Sequence, residues 1–316
     1  MNPLLTALVA AGIITPEDAE RINRSMDADA MRAWAEQQMA VAVQNGLSAQ
    51  QTRLVDMVRR TNGNLNAAAL DDFWRAEDER LYAALRATLD EVATESAVGM
   101  AVRMGADDMT WRLVNERVLD WVQDYYINAD AGAFGSIPNL NLTSRTEFAR
   151  AFTEWQRGEL EIGTRLQGLP QLIEAITPTF GPERAAVIAA TESTRIQVES
   201  ERRAGEADEN TTHWRYYTAA DERVCPQCGP LHGQVVAKTA SGFDVPRGGR
   251  MYPPLHPNCR CRVLPESAET LRLPLPPEER YQFSAADYAE YQRRQAQERR
   301  QAERPQGAVD VLLGSA

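Results

Sequence analysis

The sequence predicts an α+β protein: a mostly helical N-terminal region, a small α+β module gathered around its cysteines, and an extended, partly helical C-terminal tail. Three observations predict it. Apolar residues recur at threes and fours through most of the first two hundred positions, the period changes to two at Thr212, and every cysteine falls between Cys225 and Cys261. At 316 residues the chain can hold two domains, or one domain with a large helical extension. The reading divides it at 1–175, 176–265 and 266–316.

The elements follow in order. Leu4 to Ile14 is apolar, but no basic segment precedes it and no processing site follows, so it reads as a first helix and not as a secretory signal. Thr15-Pro16-Glu17-Asp18 opens a helix with a hydroxyl cap, a first-turn proline and acids against the helix dipole. That helix is expected to reach about Asn45-Gly46, with a second from Ser48 to Arg60 that Asn62-Gly63-Asn64 ends. A third runs from Leu65 to about Met104, with Leu70, Phe73, Trp74, Leu81, Leu85 and Leu89 as a narrow apolar stripe. So long and polar a helix needs neighbours, from this chain or from another subunit. Asp107 to Tyr126 makes a fourth. A loop through Gly132, Gly135 and Pro138 then leads to a capping signal at Thr143-Ser144 and a helix to about Gly158. Gly168 to Phe180 and Gly181 to Gly205 read as two further helices. The second carries Thr191-Glu192-Ser193-Thr194-Arg195, where Glu192 and Arg195 share a face and are placed to pair. Trp214, Tyr216 and Thr218 then alternate with His213, Arg215 and Tyr217 as a strand, Asp221-Glu222-Arg223 turns, Val235-Val236 is a second strand, and Arg260 to Leu264 is the last.

Charge is uneven along this order. The net charge is -11, of which residues 1 to 175 carry 16 basic against 26 acidic side chains, while Arg215 to Arg262 hold seven basic against three acidic. Bulk attraction of the whole chain to nucleic acid is thereby disfavoured, and a local basic face at Arg247, Arg250, Arg260 and Arg262 is the candidate DNA contact. The competing reading pairs these arginines with local acids. No stretch reads as a membrane span, and four cysteines clustered in this way fit a reducing compartment.

The cysteine segment reads VCPQC and, after a loop, LHPNCRC. Cys225 and Cys228 are separated by two residues, and so are His256 and Cys259, so each pair can form a tight turn that aims two ligand atoms at one point. The two halves supply a closed tetrahedral zinc site, a structural Zn2+ that ties the first turn to the last strand of a sheet too small to stand alone. Buried thiols, a disulfide, and a redox-active CxxC are the competing readings, and Pro226 and Gly229-Pro230 weigh against the last by placing the motif in a loop. Cys261 is a fifth donor. In a strand Cys259 and Cys261 would share a face, so either completes the site; Cys259 is favoured because the His256 turn then closes on it.

The run TESTR (Thr191 to Arg195), Trp214, DERVCPQC (Asp221 to Cys228), LHG (Leu231 to Gly233) and PPLHPNCRCRV (Pro253 to Val263) resembles the phage head morphogenesis family, the Mu F-like and SPP1 gp7-like minor head proteins. The resemblance makes Glu192, Arg195, Trp214, Asp221 and Gly233 structural motif residues, and implies metal ligation by the cysteines and His256. It further implies a non-enzymatic virion component of the capsid interior, made in the host cytoplasm, that meets the portal and capsid or scaffold proteins and assists DNA packaging or delivery, in some members by binding DNA. Two rivals stand beside it. A zinc deaminase needs an HxE motif upstream of its CxxC, and the sequence has none; a zinc-dependent DNA-processing enzyme needs an open metal position and a nearby base. A nucleic-acid-binding zinc protein is disfavoured by the charge. No catalytic constellation is legible.

Overall fold

The computed structural model describes residues 6, 9–12, 15–104, 108–128, 137–160, 168–218, 224–246, 248–272 and 293. Most of the apolar opening, the Asp221 turn, Arg247 and nearly all of the tail after 272 therefore lie outside the described residues. Among the described residues helices dominate, and five short strands follow them. By packing, the chain forms two units: residues 1–211 with 256–260, and residues 212–255 with 261–316.

In the first unit, α1 (Pro16–Met26) starts as expected. The Thr15 hydroxyl accepts the Asp18 N–H at 3.0 Å and the Asp18 carboxylate accepts the Thr15 N–H at 3.2 Å, a reciprocal cap of two otherwise orphaned donors. The break that follows is at Asp27, not at Asn45-Gly46. The Asp27 carboxylate accepts from the Asp29 and Ala30 N–H groups and so starts a new helix, α2 (Ala28–Arg60). Gly46 sits inside this helix because of its neighbour: a Cβ there would lie 2.6 Å from Cδ1 of Leu81, a side chain buried in the core. Glycine marks a close approach of helices at this point, and its entropic cost, about 1 kcal/mol, is the smaller effect.

Helix α3 (Ala67–Met104) buries Trp74, Leu81, Leu85 and Leu89, and then a broader small-residue face from Val92 to Ala101. Its neighbours include α1, α2, α4 (Asp108–Gln123), α5 (Ile137–Arg157) and α7 (Pro182–Ala207), so partners from within this chain cover the stripe. A π-turn over Asp124–Asn128 extends α4. Helix α5 begins at Ile137, eight residues before the expected start. Thr143 and Ser144 do not cap it: both hydroxyls return to carbonyls one turn back, Asn139 and Leu140, and Ser144 is fully buried. Pro138 is tolerated because it falls in the first turn, where its missing N–H has no intrahelical acceptor.

Helix α6 (Leu169–Phe180) leads to α7, the central element of the unit, which packs on α2, α3, α4 and α6. Its middle is buried although it is polar: Thr191, Glu192, Ser193 and Thr194 are each at most 3% exposed. A second buried charge lies on α3, where Glu77 is fully enclosed. Its two carboxylate oxygens accept from Arg53 Nε and Nη2 at 2.7 and 2.6 Å, and Arg80 adds a third bond at 2.8 Å. Such a fork-to-carboxylate geometry is what makes a buried acid tolerable.

The second unit has a three-stranded sheet in the order β2-β1-β5, from β1 (Thr211–Tyr217), β2 (Val235–Ala237) and β5 (Arg262–Ser267), and a hairpin of β3 (Phe243–Asp244) with β4 (Arg250–Met251). β1 and β2 run antiparallel with Trp214 opposite Val236. Trp214, Tyr216 and Thr218 are buried as their alternation predicts, but Arg215 is buried too, because its Nε meets Glu266 at 2.5 Å. Around Tyr216, the Phe243 ring packs edge-on at 5.1 Å, and Tyr252 packs on Phe243 in turn. Gly242 lies at φ 141, and a Cβ there would meet the Met251 backbone at 2.6 Å. β5 begins at Arg262, so Cys259 and Cys261 precede the strand instead of sharing one of its faces. Among the described residues no helix is long and apolar enough to cross a membrane.

Candidate metal centre

Both halves of the cysteine segment form the expected turns. The Cys225 carbonyl accepts the N–H groups of Cys228 and Gly229 at 3.1 and 2.9 Å, and the His256 carbonyl accepts the Cys259 N–H at 3.2 Å. Asn258, between the second pair, adopts φ 59, a left-handed conformation that asparagine tolerates better than most residues. All four cysteines are buried and none forms a disulfide.

The ligand atoms of Cys225, Cys228 and His256 lie within 4.8 Å of one another, and those of Cys228, Cys259 and Cys261 do the same. At a Zn–S distance of about 2.3 Å, tetrahedral geometry places sulfurs roughly 3.7 Å apart, so each triad is compact enough to serve one ion. Four thiols and an imidazole are soft donors suited to zinc, and both triads are free of carboxylate, so the residues present fit the ion. Cys228 is common to the two triads. Five donors exceed the four positions of a tetrahedral site, and the two triads together keep both Cys259 and Cys261 within reach. His256 Nδ1 lies 2.7 Å from the Pro257 carbonyl, which can only accept; the contact suits a proton on Nδ1, which would make Nε2 the nitrogen offered to an ion.

The turn that carries His256 and Cys259 is held by α7. The Thr191 hydroxyl accepts the Asn258 N–H at 3.0 Å, and the Thr194 hydroxyl donates to the Cys259 carbonyl at 2.7 Å. Sequence reasoning missed both roles. The signal was present in the TESTR run, as two hydroxyls three apart on one buried helix face.

Glu192 and Arg195 do pair, with Arg195 Nε 3.1 Å from Glu192 Oε2. Tyr126, which the sequence did not single out, donates its hydroxyl to the same oxygen at 2.8 Å, and the Arg195 guanidinium lies over the Tyr125 ring at 5.0 Å. Burial raises the Glu192 carboxyl above its ordinary 4.5, against the lowering pull of Arg195 and Tyr126. Burial likewise drives the Tyr126 hydroxyl well above its usual range, and Glu192 adds to the effect. This cluster is enclosed and serves to hold α4 and its π-turn to α7.

The other motif residues have structural surroundings. Trp214 Nε1 donates to the Lys238 carbonyl at 3.1 Å. Gly233, at φ 77, turns the chain so that its N–H reaches the Tyr216 carbonyl at 2.9 Å. His232 Nδ1 accepts the Thr218 N–H at 3.2 Å, so this histidine is engaged in the sheet unit. Of the candidate DNA contacts, Arg250 is exposed and forks onto Asp244 at 2.8 and 3.3 Å, while Arg260 and Arg262 are half-buried. Arg247 and Asp221 lie outside the described residues.

Residues 154–264 match the family model described as phage Mu protein F like protein. The resemblance carried by TESTR, the CxxC and the HxxCxC therefore falls within a segment similar to that family. The match takes in both cysteine turns and the two threonines of α7. No curated protein and no solved structure matches the chain.

Proposed function

We propose that this chain is a phage minor head protein whose cysteine module is stapled by a structural zinc ion. The observation that carries the reading is the coincidence of two independent findings on one segment. Residues 154–264 match the Mu F-like family, and the same segment brings four buried thiols and an imidazole into two overlapping triads. In this reading residues 176–265 form the head morphogenesis module. The acidic helical region 1–175 meets the portal and capsid or scaffold proteins, and 266–316 is a polar tail. The protein acts from the capsid interior in packaging or delivery of DNA, after assembly in the host cytoplasm. Cys225, Cys228, His256 and Cys259 hold the ion with Cys261 beside them, and the ion's part is to cross-link two turns and stabilise the fold, as structural zinc does. No catalytic step is assigned to it, since four protein ligands leave no position for an activated water.

The experiment is co-assembly. The full chain, co-expressed with the portal protein of the same phage, is expected to co-elute with portal oligomers, and particles assembled without it are expected to lack or mis-deliver DNA. Portal oligomers that never carry the chain, together with fully infectious particles that lack it, would overturn the reading.

A further inference from the structure

We propose that Thr191 and Thr194 are positioning residues of the metal centre, so that α7 sets the geometry of the His256–Cys259 ligand turn; the inference rests on the metal reading above. A serine or threonine inside a helix ordinarily returns its hydroxyl proton to the carbonyl one turn back. On α7 Thr191, Ser193 and Ser200 do this, at Val187, Ala189 and Ile196. Thr194 does otherwise: its proton goes to the Cys259 carbonyl at 2.7 Å, on a side chain only 2% exposed. Thr191, its own proton already spent on Val187, uses a lone pair to accept the Asn258 N–H at 3.0 Å.

These two bonds grip the turn on either side of one ligand. Asn258 N–H and Cys259 C=O flank the backbone from which the Cys259 side chain departs, and the Cys259 N–H itself closes on His256. With both flanking groups held, the Cα–Cβ direction of Cys259 is set before any ion binds. The left-handed φ of Asn258, a conformation that few L-residues adopt as readily, is the one the Thr191 bond retains. Groups that orient metal ligands typically change affinity about 10–100-fold when removed, because the ion must then also pay to order its ligands. The ligand class is a thiophilic divalent cation, Zn2+ or its spectroscopic substitute Co2+.

The test uses the full-length, reduced chain and Co2+, read by its thiolate charge-transfer and d–d bands, with Zn2+ affinity from competition against a chromogenic chelator and helix content from circular dichroism. Thr194→Val is expected to weaken Zn2+ and Co2+ binding about 10–100-fold and to alter the Co2+ spectrum at unchanged helix content, while Thr194→Ser keeps wild-type values. Thr191→Val carries the same expectation where Thr194→Val does not fold. Wild-type affinity and spectrum in the folded valine variants would overturn the proposal, and so would a loss in Thr194→Ser as large as in Thr194→Val, since the effect would then follow any change of side-chain shape and not the loss of the hydroxyl. A wild-type chain that takes up no ion would overturn the metal reading itself, a result distinct from an insensitive Thr194.

Discussion

Replacing Glu192 with alanine removes the acceptor on which Tyr126 and Arg195 both converge. Two groups then lose their partner. Tyr126 is 1% exposed, so its hydroxyl is orphaned in a dry environment at a cost of about 1–3 kcal/mol. Arg195, with 15% of its side chain exposed and the Tyr125 ring beneath it, keeps some compensation, which places the broken pair at the lower end of the roughly 3–5 kcal/mol expected for removing one partner of a buried ion pair. Tyr126→Phe removes one hydrogen bond to a charged acceptor and should cost about 1.5–3 kcal/mol. The double variant should be less destabilised than the sum of the two by about the value of that bond, since neither single change leaves it intact. At roughly 2–4 °C per kcal/mol for a unit of this size, the two costs together, about 4–6 kcal/mol, should make Glu192→Ala melt about 8–24 °C below wild type by far-ultraviolet circular dichroism. A Glu192→Ala shift of less than about 2 °C, or strictly additive effects in the cycle, would refute the claim that this cluster fastens α4 to α7.

Four further outcomes follow from the same geometry. Because burial raises the Glu192 carboxyl, the native chain holds that proton above the pH at which the unfolded chain releases it, so this group's contribution to stability falls as pH rises from about the ordinary 4.5 through the raised value and then levels off; stability against pH for wild type minus Glu192→Gln should show that fall, and a flat difference contradicts it. Cys228→Ser, which removes the donor common to both triads, should abolish Zn2+ retention on gel filtration, with Cys259→Ser doing the same and Cys261→Ser retaining the ion at reduced affinity. Gly242→Ala should destabilise the β3–β4 hairpin by about 1–3 kcal/mol, seen as faster proteolysis within 238–252, because the new Cβ meets the Met251 backbone at a φ that only glycine adopts readily. Any DNA shift by the full chain should weaken steeply with salt, and Arg250→Ala should change it little, since Asp244 already neutralises that guanidinium.

How much of this was legible depended on whether the signal was local. The Thr15 cap, the breaks near Asn62 and Gly181, the β1 strand and the two metal-type turns depend on residues within a few positions of one another, and each formed as read. What failed was set by distant partners. Gly46 looks like a helix end until Leu81 is seen against it. Thr143-Ser144 looks like a cap, but Ser144 is buried where Arg184 donates to its hydroxyl at 2.8 Å. Arg215 should face solvent by its period and is drawn inward by Glu266, 51 residues away. Among the motif residues, the Glu192–Arg195 pair was readable because it spans one turn of one helix, whereas Tyr126 and the bonds of Thr191 and Thr194 join elements that only the tertiary structure brings together.

The most direct test is the metal content and ligand shell of the reduced, full-length protein, from elemental analysis and X-ray absorption at the zinc edge. The account predicts one zinc per chain bound by three sulfurs near 2.3 Å and one nitrogen near 2.0 Å, with the second unit unfolding when the ion is stripped. A chain that purifies without zinc and keeps the same fold and stability, or an ion whose shell includes water oxygen, would contradict it.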